Sequence, residues 1–159
     1  YEELTLEEHI NLTAMSYGLD INETWERADK LLNLFKLSDK KKFFPVHFSK
    51  GMKQKVMIIC AFLVEPKLYI IDEPFLGLDP IAINDLINLM CEKRDNGSSI
   101  LMSTHILATA EKYCDNFLII HEGKILANGN LEKLRVEFNM PGATLDEIYI
   151  SLTTRGQNE

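Results

Sequence analysis

Apolar and polar positions change their period near residue 66. Before it the spacing is helical. Leu6, Ile10, Leu12 and Met15 give a broad apolar face behind Thr5, and Thr5 to Glu8 has the T-x-x-E spacing of a capping box. Asp20 to Glu23 is a D-x-x-E variant. From Asn22 a second helix carries Trp25, Ala28, Leu31, Leu32, Phe35 and Leu37. A third helix begins near Ser49 and ends before Pro66, because the residue preceding a proline avoids helical angles. Past Pro66, short apolar runs alternate with helices. Leu68 to Ile71 reads as a buried parallel strand, and Ile81 to Arg94 as a helix closed by Asn96-Gly97. Ser99 to Ser103 is a second strand and Leu107 to Tyr113 a short helix. Phe117 to Ile120 and Ile125 to Ala127 flank His121-Glu122-Gly123-Lys124 as a hairpin. Helices follow over Asn130 to Phe138 and from Thr144 through Leu152, and Gly156 to Glu159 is expected to fray. Strands alternating with helices predict an α/β fold with a mostly parallel sheet, preceded by an α-helical segment.

Composition narrows the classes. The chain has 159 residues, 46% hydrophobic and 26% charged, as expected for one globular domain. Its net charge of −7 disfavours general binding to nucleic acid or anionic lipid. Cys60, Cys91 and Cys114 are scattered, with no C-x-x-C, which argues against a disulfide framework or zinc site and for a reducing compartment. The longest apolar run, Val56 to Val64, is too short to span a bilayer. The acidic opening YEELTLEEH has no signal-peptide character, and the missing initiating Met suggests a piece of a longer chain.

The third helix opens on FSKGMKQKV and only then becomes apolar. Ser49 can cap it. Capping does not explain the bare Gly51 or the crowding of Lys50, Lys53 and Lys55 at its start. LYIIDEP then places Asp72 and Glu73 at the carboxyl end of a strand, where open α/β sheets bind ligands. Adjacent acids there can divide labour, one holding magnesium and the other orienting an attacking water. An isolated acid pair before a proline is usually a surface turn. FLGLDP and the STH that ends the next strand shift that balance, since parallel topology would bring His105 to the edge that carries Glu73.

FSKGMKQKV, LYIIDEPFLGLDP and LMSTH, in this order, resemble the ATP-binding subunits of ABC transporters: signature motif, Walker B strand, D-loop and switch histidine. HEGKILANGNLEKL and TLDEIYISLT extend the resemblance to the C-terminal helix, so it covers essentially the whole chain. It implies a P-loop NTPase fold of the ABC type, ATP and Mg²⁺ as cofactors, and ATP hydrolysis coupled to transport, of the exporter type. Ser49, Lys50, Gly51 and Met52 would cap the ATP of a second subunit, with Lys50 and Met52 departing from the common LSGGQ. Asp72 would help hold Mg²⁺, Glu73 would polarise the water, Asp79 would sit at the dimer interface, and His105 would sense the γ-phosphate. The implied partners are a second nucleotide-binding domain, identical or related, and transmembrane permease subunits, with no direct nucleic-acid contact. The implied location is the cytoplasmic face of the membrane.

The resemblance divides the chain into a helical subdomain with the signature motif over 1–65, the remaining catalytic core over 66–138, and a C-terminal helix and tail over 139–159. No G-x-x-x-x-G-K-[ST] occurs; Gly123-Lys124 is followed by Ile125 and lacks a glycine at 118. The expectation is a chain that lacks the Walker A loop and the Q-loop glutamine, is inactive alone, and leaves an edge or face of its Walker B strand unprotected. Two other readings stay open: a non-catalytic interaction module, and a non-transport ABC-type ATPase of translation or DNA repair.

Overall fold

The computed structural model describes residues 1–155; the expected fraying of 156–159 lies outside them. The chain forms two compact units, Tyr1–Ser103 and Thr104–Glu159. The expected functional divisions at 65/66 and 138/139 each fall inside one of these units.

In the first unit, α1 (Leu6–Tyr17) starts with the expected capping box: the Glu8 amide donates to Thr5 Oγ1 at 3.3 Å, and the Thr5 amide to Glu8 Oε2 at 2.7 Å. Its buried stripe is Leu6, Ile10 and Ala14, spaced by fours. Met15, expected on that face, is 78% exposed, because five residues rotate it roughly 140° from Ile10. Asp20 caps α2 (Ile21–Leu34) by accepting from the amides of Asn22 and Glu23. This helix ends earlier than its spacing implies. Lys36 turns left-handed (φ 58°), its amide donates to the Asn33 carbonyl, and the Leu37 amide returns to Leu32 at 2.8 Å. Leu37 is still buried, delivered to the core by that turn rather than by the helix. Single 3₁₀ turns at Ser38–Lys40 and Pro45–His47 lead to α3 (Lys50–Leu63). Ile10, Leu32, Phe35, Ile59, Phe62 and Leu63 anchor the core of the unit.

β1 (Leu68–Asp72), α4 (Pro80–Asp95) and β2 (Ser99–Ser103) complete it. β1 and β2 pair in parallel, Leu68 against Ser99 through Asp72 against Ser103. Tyr69 on the inner face is buried and stacks on Phe62, ring centroids 4.7 Å apart. The run expected to be a buried strand is covered on this face alone. On the other face Leu68, Ile70 and Leu101 are 50%, 74% and 56% exposed. An unprotected face of this strand was expected.

The second unit holds α5 (Leu107–Tyr113), the antiparallel hairpin β3 (Phe117–His121) and β4 (Lys124–Gly129), α6 (Leu131–Glu137) and α7 (Leu145–Arg155). Phe117, Ile119, Ala127, Leu134, Leu145 and Ile148 form its core. Glu111 accepts the Leu145 amide at 2.6 Å and fastens α5 to the start of α7. The sheets are therefore one parallel and one antiparallel pair among the described residues. None of the three cysteines forms a disulfide among the described residues, and no described helix is long and apolar enough to cross a membrane.

Candidate functional site

The residues singled out between Ser49 and Asp79 lie within the first unit. Ser49 has extended backbone angles and caps α3, its Oγ accepting the Met52 amide at 3.3 Å. That bond uses one lone pair of the hydroxyl and leaves its proton available to a ligand. Lys50 and Gly51 form the first helical positions, so their amides are among those with no partner inside the helix.

Gly51 is glycine for a reason that spacing alone did not reveal. A Cβ built on it would lie 2.6 Å from the carbonyl oxygen of Gly77, a backbone-to-backbone clash. The loop after β1 therefore runs directly against the start of α3. Gly77 itself has φ +81°, and the Lys50 stem lies over it, Cγ 3.6 Å from where a Gly77 Cβ would be. One turn further along α3, Lys55 Nζ donates to Asp79 Oδ2 at 3.1 Å. The other oxygen of Asp79 accepts the Ala82 amide at 2.9 Å and caps α4, with Pro80 in the first turn. The Ala82 amide first and the Lys55 ammonium second hold the Asp79 carboxyl below its ordinary value.

Asp72 and Glu73 leave β1 beside the end of β2. Ser103, the register partner of Asp72, donates its hydroxyl to Asp72 Oδ1. The Glu73 amide donates to the Ser103 carbonyl at 3.1 Å, and Glu73 turns to φ +44°, a conformation side chains rarely adopt. A hydrogen bond from the Leu76 amide to the Glu73 carbonyl closes the turn at 3.2 Å. Buried Phe75 anchors it. The chain thus leaves the strand and turns between Glu73 and Leu76. Ser103 was missed as a site residue. No local signal marked it: the register of the two strands, set by the sheet, puts the last residue of SILMS opposite the last of LYIID. His105 opens the second unit, exposed and two residues beyond Ser103 in the chain.

The donor set suits a hard cation. Asp72 offers a carboxylate and Ser103 a hydroxyl oxygen at one strand end, and Mg²⁺ is usually held by one or two protein oxygens plus phosphate and water. Among the described residues there is no group of three or more metal-ligating side chains, so a closed all-protein cage is not present.

The chain is similar to known proteins over most of its length. A family model described as "AAA domain, putative AbiEii toxin, Type IV TA system" matches residues 6–111. The chain is 60% identical over 153 residues to the ABC-type transporter ATP-binding protein EcsA of Bacillus subtilis, covering 96% of the chain and 62% of that protein. It is 44% identical over 149 residues to the "uncharacterized ABC transporter ATP-binding protein YthP" of the same organism, covering 94% and 63%. A solved ATP-binding subunit of an ABC transporter superposes with a TM-score of 0.94 at 59% identity, over 96% of the chain and 64% of that structure. The chain spans less than two thirds of each of these relatives.

Proposed function

Because the chain belongs to the ABC transporter ATP-binding proteins and has their P-loop NTPase fold, we propose that it supplies the signature, Walker B, D-loop and switch part of a subunit that hydrolyses ATP to drive transport, of the export type that the motif resemblance implies. The carrying observation is the meeting of Gly51 with Gly77 and of Lys55 with Asp79, which joins the signature helix to the loop that follows the paired carboxylates.

In this reading the Ser49 hydroxyl and the amides of Lys50, Gly51 and Met52 face the γ-phosphate of ATP held by a second subunit, identical or related. Partial positive charge at the helix start favours the anion. Asp72, oriented by Ser103, would hold Mg²⁺, and the ion would neutralise phosphate charge. Glu73 polarises water, with its direction set by the φ +44° turn. His105 contacts the γ-phosphate. Catalysis is then mainly positioning and charge stabilisation. The helical subdomain over 1–65 docks on transmembrane subunits at the cytoplasmic face. The groove of about 520 Å³ between α1 and α3, lined by His9, Thr13, Tyr17 and Met57, is the concave surface it offers. The core over 66–138 and the C-terminal helix over 139–159 complete the division of labour.

The 159 residues contain no G-x-x-x-x-G-K-[ST] loop to cradle phosphate. Phosphate release tests the proposal. The 159-residue chain alone is expected to release none, whereas the full-length subunit turns over ATP and Glu73→Gln lowers its kcat about 100-fold or more with ATP still bound. Turnover by the short chain that Glu73→Gln abolishes would overturn the proposed division. Full-length activity indifferent to Glu73→Gln would remove Glu73 from the chemistry.

A further inference from the structure

Two contacts share one helix face. Gly51 and Lys55 are four residues apart, so both project from the same side of α3. Their partners, Gly77 and Asp79, are two residues apart in the loop after β1. The helix face is thus laid along the loop, with a close backbone approach at one end and an ion pair at the other. The Lys55 side chain is only 14% exposed, while Asp79 is 54% exposed. The Lys55 stem is thus mostly covered, and its ammonium ends on a carboxylate that stays half-exposed. The pair joins the helix to the loop rather than two positions of one element.

Stability is a weak reason for this arrangement. Half-exposed ion pairs contribute little, and the α4 cap uses the other oxygen of Asp79 whether or not Lys55 is charged. Geometry is the stronger reason. Ser49 sits at the start of the helix that Lys55 fastens, and Glu73 begins the loop that Asp79 ends.

We infer that Lys55 is a positioning residue: its ion pair with Asp79, together with the Gly51–Gly77 approach, makes the start of the signature helix and the loop over 73–79 move as one body. The face presented to the second subunit then keeps a fixed register to the turn that aims Glu73. This rests on the proposed ATPase reading. It differs from a direct phosphate contact by Lys55, whose charge is already answered by Asp79.

The test uses the full-length subunit and measures kcat and KM for ATP, with melting followed in parallel. Lys55→Met keeps the stem and removes the charge. Asp79→Asn keeps a capping oxygen and removes the anion. Each is expected to lower kcat roughly 10- to 100-fold, the scale of a misplaced reacting group. KM should stay within about twofold, and Tm within roughly 3 °C, as for a weak surface pair. The double variant should be no slower than the slower single one, and Lys55→Arg should restore most of the activity. Wild-type kcat in Lys55→Met, a KM effect without a kcat effect, or additive losses in the double variant would each overturn the inference. If Lys55→Met fails to fold, Asp79→Asn and Lys55→Arg still decide it by the same criteria. A wild-type subunit with no turnover would sink the ATPase reading itself, and this inference with it.

Discussion

Glycine at position 51 has two reasons to be there, and they separate experimentally. A phosphate-facing helix start wants little bulk, which concerns ligand binding. The Gly77 carbonyl, 2.6 Å from a would-be Cβ, concerns the fold itself. In an ordinary helix, glycine to alanine gains about 1 kcal/mol. At this position the added methyl must displace backbone, and overpacking costs about 1–3 kcal/mol. Gly51→Ala is therefore expected to lower the urea midpoint of the 159-residue chain. A raised midpoint would mean that the loop yields freely and that the contact positions nothing. Nearby, Glu73 keeps a left-handed backbone without being glycine, held by its amide bond to Ser103 and the Leu76 bond that closes the turn. Such conformations cost of order 1–3 kcal/mol and occur where geometry matters for a site.

Between elements, the decisive junction is the short link from α3 to β1. Glu65 takes φ +49° and faces two helices at once. Arg27 of α2 donates to it at 3.1 Å, and Lys93 of α4 donates to its other oxygen. The Lys93 hydrogen bond is the main reason the Glu65 carboxyl is held below its ordinary value of 4.5, with the charges of Lys93 and Arg27 adding to it. A depressed carboxylate contributes stability that is whole above its unfolded value and is lost as pH falls through the folded one. Glu65→Gln should therefore lower the melting temperature near neutral pH and bring the two proteins together as pH drops below about 4. Parallel curves from neutral pH to acid would show that Glu65 bears no folding load. Helix starts are simpler. Thr5 and Glu8 satisfy each other's amides, and Thr144 and Glu147 do the same, by local chemistry alone.

For the molecule as a whole, the open face of the parallel pair is the main departure from a closed core. Ile70 is 74% exposed beside Leu101 at 56%. Exposed substitutions usually change stability by less than about 0.5 kcal/mol. Ile70→Thr should thus leave the denaturation midpoint of the 159-residue chain nearly unchanged while reducing its binding of the dye ANS. A large loss of stability would mean that Ile70 is covered in solution. Much of this molecule could be read in advance. Capping residues, period changes and Pro66 marked nearly every element, because helix starts, amphipathic faces and proline act over a few residues. The order of FSKGM, DEP, LGLDP and STH carried the family. The chain by itself therefore determined its elements, its α/β class and the list of candidate residues. Where α2 stops was less legible, since Lys36 turns left-handed without glycine and Leu37 is buried from outside the helix. Contacts between distant segments were not legible at all. Only the tertiary structure decided that Gly51 abuts Gly77, that Lys55 reaches Asp79 and that Ser103 holds Asp72, because each joins residues 24 to 31 positions apart. No local rule couples segments that far apart; close packing and strand register do.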